Sequence, residues 1–163
     1  MRVGLVSPYD LGRPGGVQDQ VIKLAGWLES AGHEAVIIGP GVEGPDGAVL
    51  LGPTTTFTAN RAQAPIRLDP RLGRQIERAL GDVDVLHVHE PLMPAVSTAA
   101  MRVTGVPIVA TFHADPPVWV RRIYRHGRSG VRALLRNASV VTVTSPISGS
   151  SIDGIVDYRT VPN

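Results

Sequence analysis

Cysteine is absent from the 163-residue sequence. That excludes disulfides and thiolate metal sites, and it fits a reducing compartment. There is no run of about 18 apolar residues, so no membrane-spanning helix is expected. Asp10 and the Gly–Pro punctuation after it arrive before an apolar signal-peptide core could form. A cytoplasmic protein is the expectation. Aromatic residues make up only 4% of the chain, which leaves few stacking platforms for bases and argues against a nucleic-acid partner. A GxGxxG fingerprint, a Walker A loop, a GxSxG elbow and an HExxH helix are all missing. Without them, a dinucleotide site is weakly supported, and a serine hydrolase or a zinc site is not expected.

What is present is enough apolar residue, 43%, for one domain with a real core. The net charge of +2 hides an uneven distribution. Residues 1–100 carry eight basic and eleven acidic side chains, and residues 101–163 carry eight basic and three acidic ones. Six of the latter eight are Arg121, Arg122, Arg125, Arg128, Arg132 and Arg136, with no acid between them. Such a basic surface recruits anions. With Trp119 and Ile123 beside it, the segment reads either as a helix lying on an anionic membrane or as an ordinary solvated arginine face.

The chain is organised around Arg2 to Gln18. Val3, Leu5 and Val6 suit a buried strand. Gly12, Pro14, Gly15 and Gly16 make a loop. From Val17 to Leu28, Val17, Val21, Leu24, Ala25 and Leu28 share one helical face. Strand, glycine-rich loop and helix form the opening unit of a doubly wound α/β domain. Gly15 and Gly16 let backbone N–H groups approach an anion at the positive end of the helix, or else they only make a tight turn.

Strands are expected at residues 34–38, 48–51, 84–88, 107–112, 139–143 and 158–161, with a short one at 66–68. Helices are expected from about 70 to 80, 94 to 103, 118 to 136 with a break near Gly127 to Gly130, and 148 to 154. Asp69 and Pro70 suit the N-cap and first position of the helix that follows them. Residues 52–65 read as a long polar loop. Continuously apolar strands alternating with helices predict a mainly parallel sheet covered on both faces. Ligands then bind beyond the carboxyl ends of the strands, where Tyr9 to Gln18, His89–Glu90, His113–Asp115 and Thr144–Ser145 converge.

Within that rim, His113 either donates a hydrogen bond to a sugar or phosphate oxygen or satisfies a backbone carbonyl. Glu90 either accepts from ligand hydroxyls or fixes a neighbouring loop, and His89 shares its position at the strand end. His87 lies mid-strand on the same face as His89 and reads as an interior residue. No carboxylate cluster accompanies these histidines, so no metal is expected.

The segments MRVGLVSPYDLGRPGGVQDQVIKLAGWLESAGHEAVIIGP, DVDVLHVHEPLMP, PIVATFHAD and RTVPN, in that order, resemble the N-terminal half of family 4 retaining glycosyltransferases with the GT-B fold. Within that family the likeness is to the actinobacterial phosphatidylinositol mannosyltransferases. The resemblance implies a Rossmann-like acceptor-binding domain over residues 1–163, facing a donor-binding C-terminal domain absent from this chain. Gly15 and Gly16 then match the loop at the donor pyrophosphate. Tyr9 and Gln18 match acceptor contacts, and His113 matches the histidine beside the transferred sugar. Arg121 or Arg122 stands in for a phosphate-binding lysine, because ADPPVWVRR replaces the small hydroxylated residues usual after the histidine. The donor implied is the sugar nucleotide GDP-mannose, as substrate, with no cofactor. The acceptor implied is phosphatidylinositol at the inner face of the plasma membrane. The chain by itself is expected to be inactive. Two other readings stay open: a soluble inositol phosphate or glycan acceptor, and a non-catalytic binding module.

Overall fold

The computed structural model of the chain describes residues 1–59, 62–66 and 71–162. Seven strands form one sheet. In chain order they are β1 (Arg2–Val6), β2 (Glu34–Gly39), β3 (Val49–Leu50), β6 (Val85–His89), β7 (Ile108–Phe112), β8 (Val140–Val143) and β9 (Arg159–Thr160). A separate antiparallel pair, β4 (Thr55–Ala59) and β5 (Ala62–Ile66), lies between β3 and β6 in sequence. The spatial order of the large sheet is β3-β2-β1-β6-β7-β8-β9, and every described pairing in it is parallel. The order runs one way from β1 to β3 and the other way from β6 to β9. The carboxyl ends of β1 and β6 therefore flank the point where the winding reverses, which is where an open α/β sheet holds its ligand.

The helices α1 (Gly16–Ser30), α2 (Leu72–Leu80), α3 (Val96–Ala100), α4 (Val118–His126), α5 (Arg128–Leu135) and α6 (Pro146–Gly149) connect the strands. Alternation along the strands builds two cores. Val21 and Ala25 of α1 pack with Val3, Leu5 and Ile37 on one face. Residues of α2, α3 and α5 pack with Val6, Val36, Ile38, Leu86 and Val88 on the other. In α2 the buried residues are Leu72, Ile76 and Leu80, one per turn. Each contributes about 1.5–3 kcal/mol by leaving water.

The expected doubly wound sheet with helices on both faces is what the chain forms. Three local expectations need correction. Residues 52–65 are not one long loop, because most of them belong to the β4–β5 ribbon. The run Thr54-Thr55-Thr56-Phe57-Thr58 is β-branched and aromatic, which suits strands better than loop. The helix expected over 94–103 shrinks to Val96–Ala100, since Ala95 before it has φ 72°. The helix expected from Ser148 starts two residues earlier, where Ser145 and Ser148 form a capping box around Pro146. Asp69, Pro70 and the end of the strand expected at 66–68 lie outside the described residues.

Candidate functional site

The loop after β1 is held from several sides. Ser7 is fully buried, and its hydroxyl accepts from the Tyr9 amide at 3.2 Å. Asp10 Oδ1 accepts from the Gly12 amide at 3.1 Å, and Oδ2 accepts from the Thr54 hydroxyl at 2.7 Å. The Leu11 amide donates to the Pro40 carbonyl at 2.9 Å, beyond the end of β2. Gln18 is buried in the first turn of α1, and its Nε2 reaches back to the Asp10 carbonyl at 3.2 Å. The ends of the loop are thus fixed, while Gly12 to Gly16 lie at the surface.

No side chain caps α1. The amides of its first turn have no carbonyl one turn earlier to bond, so they remain available to an anion. The two glycines differ. A Cβ on Gly15 would stand 2.9 Å from Gln18 Cδ, whereas a Cβ on Gly16 would meet nothing within 4 Å. A side chain on Gly15 would therefore displace the end of the Gln18 side chain. Gly16 faces open space, and only a ligand would notice a side chain there. A recess of about 370 Å³ is lined by Tyr9 and residues 13–18. A second, about 680 Å³, lies along the same loop with Asp19 and Ile22.

The tips of β6 and β7 supply the rest. Glu90 is buried and adopts φ 47°, the left-handed region that non-glycine residues seldom occupy. Its Oε1 accepts from the amides of His113 and Ala114, both at 2.7 Å. Of the two roles open to Glu90, the structure shows it fixing the loop after β7. Burial pushes its carboxyl above the usual range, against the lowering effect of those two amides. The Glu90 charge also adds to the burial that raises the phenols of Tyr9 and Tyr124, the latter pushed up to about 12. Tyr9, Glu90, His113 and Tyr124 therefore form one neighbourhood, continuous through Tyr9 with the glycine loop. The Thr144 hydroxyl, past the end of β8, donates to the His113 carbonyl at 3.4 Å.

The histidines stand in a column. The rings of His87 and His89 stack at 4.2 Å, and those of His89 and His113 at 5.0 Å. His89 Nδ1 and His113 Nε2 share a 2.8 Å hydrogen bond. His87 is bonded as an interior residue would be, through Nε2 to the Thr111 hydroxyl at 2.6 Å, which meets Thr142 at 2.6 Å. Burial lowers all three imidazoles, His87 and His113 to about 4 and His89 well below its ordinary value. The column is neutral at pH 7. Among the described residues, no group of three His, Cys, Asp or Glu is placed to hold a metal.

Arg121 is engaged locally: it pairs with Asp115, and its Nε donates to the Pro116 carbonyl at 3.1 Å. Arg122 is exposed. One residue of the neighbourhood escaped the sequence reading. Tyr124 is half-buried with Val120 and Arg121 at helical spacing, a signal present in the sequence but masked by the arginines around it. Asp10 lies within the stretch Tyr9 to Gln18 expected at the rim, and it precedes Gly12 by two residues, the pattern of an Asx turn.

Comparison with known proteins follows the same lines. The Glycosyltransferase Family 4 model matches residues 14–153. A phosphatidyl-myo-inositol mannosyltransferase of Mycolicibacterium smegmatis is 42% identical over 120 residues, covering 71% of this chain and 31% of that protein. The same-named protein of Propionibacterium freudenreichii is 38% identical over 129 residues, covering 72% and 34%. The chain thus spans about a third of the length of these curated relatives. A solved alpha-glucosyltransferase, in complex with UDP and a 13-mer DNA containing a HMU base, superposes with a TM-score of 0.59 at 13% identity, covering 99% of this chain and 42% of its own. At that identity the likeness is one of fold.

Proposed function

Starting from the fact that the chain belongs to Glycosyltransferase Family 4, we propose that it is the acceptor-binding N-terminal half of a retaining mannosyltransferase. Its donor is GDP-mannose and its acceptor phosphatidylinositol. Most donor contacts come from a second domain outside these 163 residues, so the chain alone is inactive. The observation that carries this reading is the pairing of an uncapped α1, whose Gly16 faces open space, with a polar rim of Tyr9, Glu90 and His113 at the point where the sheet's winding reverses.

The donor diphosphate lies against the first-turn amides of α1. There the helix dipole offsets charge that grows as the sugar–phosphate bond breaks. Gly16 permits that approach because it has no Cβ. Mannose extends toward His113, which contacts it as a hydrogen-bonding group and not as a nucleophile. The acceptor hydroxyl enters past Tyr9 and Gln18 on the face the leaving group departs from. It forms the new bond to the anomeric carbon and gives its proton to the departing phosphate oxygen, so configuration is kept. Glu90 holds the His113 loop in register throughout.

A lipid acceptor is favoured over a soluble one by α4. It buries none of its residues, and it presents Val118, Trp119 and Ile123 outward beside Arg122 and Arg125. Apolar and cationic side chains on one exposed helix suit an anionic bilayer surface. Mannose transfer from GDP-mannose by the full-length protein, given vesicles containing phosphatidylinositol or soluble inositol phosphate, tests the proposal. The expected result is lipid-linked product, lost on His113→Ala and reduced at least tenfold on Gly16→Ala. Product on the soluble acceptor alone would replace the lipid reading. Absence of transfer to either, with ligand binding intact, would favour a binding module.

A further inference from the structure

Arg13 lines both recesses of the glycine loop, and among the described residues it is the only cation lining either of them. The one carboxylate lining the larger recess, that of Asp19, is already paired with Lys23 at 2.7 Å. Arg13 is steered by Asp10. Its amide donates to the Asp10 carbonyl at 3.2 Å, which closes the turn. Its Nε stands 3.9 Å from Asp10 Oδ2, within ion-pair range but beyond hydrogen-bond reach. The Asp10 side chain is 13% exposed, and its two oxygens are held by the Gly12 amide and the Thr54 hydroxyl. Pro14, the next residue, disfavours helical backbone at Arg13. The carboxylate therefore orients the guanidinium without using any of its donors. All five side-chain N–H groups of Arg13 lack a hydrogen-bond partner among the described residues, and the side chain is 54% exposed.

We propose that Arg13 binds a phosphate group of the substrate: its guanidinium, oriented by Asp10, stands on the wall shared by the two recesses and donates to two phosphate oxygens. The planar fork of a guanidinium matches a pair of phosphate oxygens, and its charge persists at every physiological pH. An oriented fork also loses less side-chain freedom on binding than a free surface arginine does. The smaller recess reaches Tyr9, and the larger one runs along α1 to Ile22. Because Arg13 belongs to both, the oxygens can come from the diphosphate of a sugar nucleotide or from the phosphodiester of a lipid headgroup. Those two sources rest on the transferase reading, but the phosphate contact does not.

Calorimetric titration of the full-length protein with inorganic pyrophosphate, GDP and glycerophosphoinositol tests the proposal, comparing wild type with Arg13→Gln. The variant changes an exposed side chain, so its thermal midpoint should match that of wild type. Its affinity for at least one of the three probes should fall fivefold or more. A loss on pyrophosphate and GDP assigns Arg13 to the donor diphosphate, and a loss on glycerophosphoinositol alone assigns it to the acceptor; both support the proposal. Affinities within twofold of wild type for all three probes would overturn it. Arg128→Gln removes the same charge from an exposed site that lines neither recess. Equal losses from the two variants would show a diffuse field instead of a contact, and would also overturn it. Mannose transfer is not measured, so a protein that binds phosphate through Arg13 yet transfers nothing would count against the transferase reading alone.

Discussion

The rim of β6 and β7 and the helix α4 break the usual distribution of side chains in opposite senses. At the rim, polar groups go inside: His89 is 1% exposed and Glu90 8%. On α4, apolar groups go outside: Val118 is 62% exposed, Ile123 58% and Trp119 44%. The first departure is compensated within the chain by the amides Glu90 accepts and by the bond between the two rings. The second has no compensation among the described residues. A fold that buries polar groups at cost and exposes apolar ones is shaped by what it binds, not by stability alone. The two regions should therefore respond differently to the same perturbations.

Acid should separate them most. His87 and His113 titrate near 4 when folded, against 6.5 when unfolded. Between those values the unfolded chain binds more protons, so stability present above pH 6.5 is lost as pH falls toward 4. The loss is on the order of 3 kcal/mol for each histidine. Glu90 works the other way, because its raised folded value favours the protonated form, but it is one group against three imidazoles. Urea midpoints should fall steeply from pH 7 to pH 4.5, and a flat profile would show that the column is not buried neutral.

Removing the carboxylate is the next largest change. Glu90→Ala leaves two amides without their acceptor and should cost about 2–4 kcal/mol in urea unfolding. Glu90→Gln keeps a carbonyl oxygen and removes a buried charge, so it should cost under about 1 kcal/mol. Equal losses would mean that Glu90 acts through its charge and not through those bonds.

The glycine pair gives a smaller contrast. Gly15→Ala displaces the Gln18 side chain from its bond to Asp10 and should cost about 1 kcal/mol. Gly16→Ala meets no protein atom and should be neutral, or stabilising by up to about 1 kcal/mol through helix propensity, while weakening nucleotide binding. Smallest of all, Ile123→Ser should change stability by less than about 0.5 kcal/mol yet reduce sedimentation with anionic vesicles. Unchanged sedimentation would leave α4 an ordinary solvated helix.

Much of this was legible in the sequence. Continuous apolar runs such as Ile108–Phe112 marked parallel strands, and parallel strands bring their polar tips to one edge. That is why Tyr9, Glu90 and His113, far apart in sequence, read as one rim before any coordinates. The His89–His113 bond was not legible, because its partners lie 24 residues apart, one at the end of β6 and the other just past the end of β7, and only the pairing of those strands brings them together. The Arg121–Asp115 pair spans two prolines, whose geometry a helical pattern does not give. The β4–β5 ribbon was missed because threonine serves loops and strands alike, and only pairing decides which.

The central claim is that the uncapped start of α1 and the imidazole at 113 face one ligand. Amide and imidazole chemical shifts of the labelled chain, followed during a titration with millimolar GDP-mannose, test it most directly. The account predicts changes at Gly15, Gly16, Val17 and His113, with none in the recess of about 520 Å³ between Arg132 and Asp157 at the other end of the strands. Shifts concentrated in that distant recess, with the glycine loop and His113 unmoved, would contradict it.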